Sequence, residues 1–142
     1  MASSYGLLRA RSKIRWHEVI VVTVHQVPAD KVEHFAQLAA EWLTQLAQLP
    51  GWVSGSLGRS VDEIDHWLIQ QQWEDAGSCR RGLSATQLRP IAFELAQSTI
   101  CEVSTFEPLL IATSDQVQTF DSIRAADADS FSLSDNKLID EV

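Results

Sequence analysis

Apolar positions run along this chain in two rhythms, and turn residues mark where one gives way to the other. Residues 17 to 25, HEVIVVTVH, are β-branched and nearly all apolar, which predicts a central strand covered on both faces. After VPAD the rhythm lengthens: Val32, Phe35, Leu38, Ala39, Trp42, Leu46 and Leu49 fall on one stripe of a 3.6-residue repeat, the mark of an amphipathic helix. Asp30 followed by Glu33 forms a capping-box pattern at its start, and Pro50-Gly51 ends it, because the residue before proline avoids helical geometry. WVSGSLGRSV, from residue 52, predicts a second strand whose glycines point to bulges or an edge position. A polar DEID turn leads into HWLIQQQW, residues 66 to 73, whose alternation completes a hairpin. Residues 75 to 97 have helical character in two pieces, near 77 to 83 and from about 90 to 97, because Pro90 cannot sit inside a helix without breaking it. STICEVSTFEPL, residues 98 to 109, alternates again as a last strand.

The order is β-α-β-β-α-β. Right-handed crossovers and sequential pairing convert it into an α+β, ferredoxin-like fold: a four-stranded antiparallel sheet in the order 4-1-3-2 with the helices on one face. The first strand is apolar on both sides, so the open face needs a cover. A second copy of the chain is the economical one, which predicts a homodimer through that face.

Charge divides the chain into three parts. Residues 1 to 16 carry Arg9, Arg11, Lys13 and Arg15 with no acid, residues 17 to 112 carry five bases and twelve acids, and residues 113 to 142 carry two bases and seven acids. The expected organisation is a basic arm (1–16), a folded domain (17–112) and an acidic tail (113–142). The arm has a transit-peptide composition but lacks the apolar core of a secretory signal. The tail is expected to be solvated, although Val117, Phe120, Ile123, Phe131, Leu133, Leu138 and Ile139 also give it apolar points for docking. A central net charge of −7 excludes phosphate-backbone binding, so no nucleic-acid partner is expected. The six-residue apolar run from Val19 to Val24 is far short of the ~20 residues that span a bilayer, so no membrane partner is expected either. Cys79 and Cys101 have neither CxxC spacing nor paired histidines. They point to a reducing cytoplasm rather than a disulfide framework or a zinc site, and no metal is expected.

Candidate chemistry centres on the third strand. Trp67, Ile69, Gln71 and Trp73 share one face by strand periodicity, and Phe35, Leu38 and Trp42 of the long helix would cover it. The tryptophans suit either core packing or an aromatic-lined ligand pocket. A buried Gln71 needs polar partners, from backbone or from a ligand. In the predicted sheet His25 ends one strand near the start of its antiparallel neighbour, at Asp65 and His66. A histidine beside a carboxylate has a raised pKa and could act as a general base, which makes His25 and His66 the catalytic candidates. His34 and His17 are weaker ones. Arg80, with Arg81, could clamp an anionic group or simply lie on a solvated helix face. No GxGxxG, P-loop or nucleophile-elbow motif is present.

The element order, the LPGWVSG lead into the second strand, the QQWED end of the third and the FEPL end of the last resemble the antibiotic biosynthesis monooxygenase domain. That family belongs to the dimeric α+β barrel superfamily, and the resemblance spans about residues 17 to 112. It implies a cleft between helices and sheet, and cofactor-free oxidation of a small aromatic, polyketide-like or quinol-like substrate. The alternative is a non-catalytic dimer of the same fold that binds a small apolar ligand or is purely structural. Trp73 matches the tryptophan that ends the third strand in such families, and Gln71 stands where relatives often carry glutamate. Relatives that degrade haem or oxidise phenols carry a histidine nine residues after that tryptophan. Gly82 stands there, Gln87 is no replacement, and haem degradation is disfavoured.

Overall fold

The computed structural model describes residues 18–101 and 104–122. The basic arm, His17 and the tail beyond 122 lie outside the described residues. The first strand, β1 (Val19–Gln26), leads through a short 3-10 turn into the long helix α1 (Val32–Leu46). Next come β2 (Trp52–Arg59), β3 (His66–Trp73), the short helix α2 (Ala76–Leu83) and, after a second 3-10 turn, α3 (Arg89–Ala96). A two-residue strand β4 (Thr105–Phe106) closes the sheet, and β5 (Leu110–Ala112) pairs with β6 (Val117–Thr119) as a separate hairpin. The sheet order is β2-β3-β1-β4, all neighbours antiparallel. This is the four-stranded ferredoxin-like arrangement that the hydrophobic rhythm predicts.

Alternation along β1 and β3 sorts the residues between two faces. Val19 pairs with Trp73, Val21 with Gln71 and Thr23 with Ile69, so these side chains share the helix side. Against them α1 presents Phe35, Ala39, Trp42 and Leu46, all buried, and α3 presents Ile91 and Leu95. At roughly 1.5–3 kcal/mol for each large apolar side chain taken from water, this single layer supplies most of the drive to fold. The other face carries Ile20, Val22 and Val24 beside Leu68, Gln70 and Gln72, with Phe106 opposite Ile20. There the expectation of a strand buried on both sides needs correction for the single chain: Ile20, Val22 and Val24 are only half-buried because no helix crosses that side.

Three local expectations also change. Asp30 and Glu33 form no capping box; Asp30 lies in the 3-10 turn, and α1 begins without a side-chain cap. The last strand is reduced to Thr105–Phe106, although Ser98, Ile100 and Ser104 each bond the β1 backbone beside it, at 2.7–2.9 Å. The start of the acidic tail is not merely solvated, since Val117–Thr119 forms one arm of the hairpin. The bulge expected in the second strand is found as a register shift between Trp52 and Ser54. Pro90 sits in the first turn of α3, where its missing N–H costs no bond.

Candidate functional site

A cleft of ≈ 230 Å³ lies between the sheet and the helices. Val21, Thr23 and His25 of β1 and Gln71 of β3 form its floor, and Trp42 of α1 and Leu95 of α3 wall it. Strand alternation puts the four floor residues on one face, and the helices bury them. None of the lining residues carries a formal charge.

His25 is 1% exposed and held at both ring nitrogens. Its Nδ1 lies 2.9 Å from Ser98 Oγ and its Nε2 lies 2.8 Å from Thr23 Oγ1. Ser98 Oγ and Thr99 Oγ1 both donate to the Leu95 carbonyl, so neither hydroxyl has a hydrogen left for the imidazole. Nδ1 therefore carries the ring proton, and Nε2 is the acceptor for the Thr23 hydroxyl. Phe35 packs on the ring at 5.2 Å and Trp67 on Phe35 at 5.8 Å. Burial pushes the His25 pKa below its ordinary value of 6.5, only partly opposed by the Leu95 backbone bond. The sequence reading expected the reverse shift, from a neighbouring carboxylate. That expectation fails on register: His25 faces Trp67, whereas Gln26 faces His66, so the two histidines project from opposite sides of the sheet.

The shift has a consequence for stability. The folded chain holds fewer protons at His25 than the unfolded chain does, so this contribution is complete above about pH 6.5 and falls away as pH drops toward the lowered folded-state pKa. Its slope is limited to about 1.4 kcal/mol per pH unit for one proton. Urea unfolding at pH 7.5 and pH 5.5 should show the native chain losing stability that a His25→Gln variant keeps. Equal losses in both would rule out His25 as the source.

Gln71 is 3% exposed and accepts a 2.9 Å hydrogen bond at Oε1 from Trp73 Nε1. An indole can only donate, which fixes the amide orientation and leaves the Gln71 NH₂ without a protein partner among the described residues. Trp73 itself is fully buried, and its six-membered ring lies against Gly82, where an added Cβ would overlap it. The space in which relatives are expected to place a histidine is thus filled by Trp73.

The remaining candidates are dispersed. Phe35 and Leu38 line a separate groove of ≈ 580 Å³ that also contains the His34–Glu94 pair, 3.0 Å apart. Arg80 lines a third recess of ≈ 400 Å³ with Cys79 and Phe106, separated from the central cleft by Leu83, which borders both. Ile69 is core, and Trp67 lies under the Arg59 guanidinium, 4.9 Å from its ring centre. His66 pairs with Asp65 at 2.8 Å, and Gln26 and His66 together hold the Asp65 carboxyl below the usual carboxylate range. Glu63, Asp65 and His66 bring ligand atoms within 4.8 Å of one another at the β2–β3 turn, and this is the grouping among the described residues that could hold a metal ion. Sequence reasoning missed Thr23 and Ser98. Thr23 was accessible from its two-residue spacing to His25, whereas Ser98 arrives through tertiary structure.

An antiparallel sheet roofed on one side by helices, with a closed polar-floored cleft between, defines a ferredoxin-like α+β binding domain. Residues 18–87 match the model of the antibiotic biosynthesis monooxygenase family, and the chain carries a domain of that family. Among solved structures, it is similar to SnoaB, a cofactor-independent oxygenase from Streptomyces nogalater, at 29% identity and TM-score 0.53 over 70% of this chain and 99% of that one. A mutant of SnoaB aligns at 26% identity and TM-score 0.58 over 64% and 92% of the two chains. A Mycobacterium tuberculosis protein, Rv0793, shares the fold at 14% identity and TM-score 0.58 over 68% and 99%. No curated protein sequence matches the chain significantly.

Proposed function

We propose that the chain is a cofactor-independent monooxygenase that oxidises a small aromatic, polyketide-like or quinol-like molecule with molecular oxygen. The observation that carries this reading is the neutral, buried His25, whose acceptor nitrogen points along the floor of an uncharged cleft. SnoaB, described as a cofactor-independent oxygenase, supports it. In such a reaction a base removes a proton from the substrate, and the electron-rich anion gives an electron to O₂. The resulting pair combines into a hydroperoxide, which loses water to leave a carbonyl; one oxygen atom is retained and the other leaves as water. His25 is the base in this scheme, and the apolar walls keep water from the radical pair. The His66–Asp65 pair, outside the cleft, has no part in it.

Oxygen uptake with a panel of anthrones and hydroquinones, measured on metal-stripped protein, tests the reading. Uptake above background should fall at least about 100-fold in His25→Gln, the usual range for loss of a general base. No uptake across the panel moves the assignment to a non-catalytic binding or structural dimer. The Trp73 ring on Gly82 favours that second reading, because it occupies the space of the helix histidine. Its displacement also makes haem a poor fit.

The half-buried Ile20, Val22, Val24 and Leu68, with Phe106 at 49% exposure, support a homodimer through the open sheet face. Light scattering should give twice the chain mass of 15.8 kDa, and Val22→Lys should return the monomer. The two free thiols, Cys79 and Cys101, fit a cytoplasmic location. No helix among the described residues is long and apolar enough to cross a membrane.

A further inference from the structure

The central cleft presents two unlike polar groups on an otherwise apolar floor. Gln71 offers amide hydrogens and nothing else, because its oxygen is committed to Trp73 Nε1. Thr23 is its opposite. The threonine hydroxyl gives its hydrogen to His25 Nε2, which leaves the oxygen lone pairs as acceptors. Thr23 lies opposite Ile69 and Gln71 opposite Val21, so the two are diagonal neighbours, with roughly 7–8 Å between their backbones. A ligand satisfying both must place a donor and an acceptor on opposite sides of a small rigid body.

We propose that the cleft recognises an uncharged hydroxyaryl ketone, whose hydroxyl donates to Thr23 Oγ1 and whose carbonyl accepts from the Gln71 amide. This rests on reading the cleft as the substrate site and narrows its substrate class. Three observations support the choice. The unpartnered Gln71 NH₂ belongs to a side chain that is 97% buried by the complement of its 3% exposure, and burial without a partner is costly unless a ligand supplies one. The lining carries no charge to balance a carboxylate, and Arg80 opens into a different recess. The cleft, at ≈ 230 Å³, is smaller than the ~300–1,000 Å³ of pockets for drug-sized ligands, which suits one or two rings. On ionisation the ligand's hydroxyl proton passes to Thr23 Oγ1 as the threonine's own proton passes to His25 Nε2. The product is a phenolate facing an imidazolium whose Nδ1–H remains on Ser98.

Calorimetry on the full chain with four matched probes tests the assignment. The probes are para-hydroxyacetophenone, para-methoxyacetophenone without the donor, para-ethylphenol without the acceptor, and para-hydroxybenzoate with a charge. The hydroxyketone should bind at least tenfold more tightly than each of the other three. Thr23→Val should erase its advantage over the methoxy compound, and Thr23→Ser should restore it. Gln71→Met should erase its advantage over ethylphenol. Benzoate binding equal to the ketone's, four equal affinities, or no binding at all would overturn the proposal. The probe series needs only the native chain, so a variant that fails to fold leaves the test intact. Binding is also read apart from turnover: the expected preference without oxygen uptake ends the oxygenase reading alone, and uptake with a reversed preference ends this one alone.

Discussion

Trp73→Ala is expected to lower stability by about 3–5 kcal/mol, the range for truncating a large buried aromatic. Trp73 is completely buried where β3 ends, with its ring on Gly82 and its Nε1 on the Gln71 oxygen. Alanine leaves a ring-sized void, and it leaves the Gln71 carbonyl without its donor. The second effect alone costs roughly 1–3 kcal/mol. Trp73→Phe separates the two, since it refills part of the volume and restores no donor. Urea unfolding should therefore order the chains native, Phe, Ala. A loss below about 1 kcal/mol in the alanine variant would contradict the packing described. Trp73 is not among the residues lining the cleft, so any change in ligand preference in Trp73→Phe must pass through Gln71. It is a positioning residue, and the Gln71-dependent preference for ketone over ethylphenol should weaken in Trp73→Phe while the Thr23-dependent one is kept.

The sheet was legible because its signals are local. Alternation at residues 66 to 73 sets the inward face of β3, the 3.6-residue stripe sets α1, and Pro90 sets the start of α3. The site was legible only in part, because its polar geometry depends on register. His25 could be picked out as a buried-strand histidine, but one residue of register decides whether it faces Trp67 or His66. The hydroxyl that fixes its tautomer comes from Ser98, 73 positions away. The Asp30–Glu33 signature failed for a different reason: the 3-10 turn at Ala29–Lys31 takes up the segment that the capping box needed. At α2, by contrast, Asp75 caps the helix by accepting from the Ser78 N–H, and that bond holds its carboxyl below the usual range.

Gly82→His, which would supply the histidine expected in phenol-oxidising and haem-degrading relatives, should destabilise this chain and confer neither activity. The simpler Gly82→Ala shows why. In a helix interior alanine is favoured over glycine by about 1 kcal/mol, and Gly82 lies within α2 with no positive φ to forbid a side chain. Opposing this, the new Cβ falls on the Cη2, Cζ3 and Cζ2 atoms of Trp73, and forcing atoms into a filled core typically costs 1–3 kcal/mol. The tryptophan cannot swing aside without breaking its bond to Gln71, so the steric cost wins and the variant is less stable than the native chain. Those three ring atoms belong to the six-membered half of the indole, which phenylalanine cannot reproduce in the same place. In a Trp73→Phe background, Gly82→Ala should then become neutral or stabilising by up to about 1 kcal/mol, as helix preference alone dictates. A double-mutant cycle by urea unfolding reads this sign change as a coupling of at least about 1 kcal/mol. Additive effects would mean that Trp73 and Gly82 do not share the space, and the argument that Trp73 excludes a histidine from α2 would fall with them.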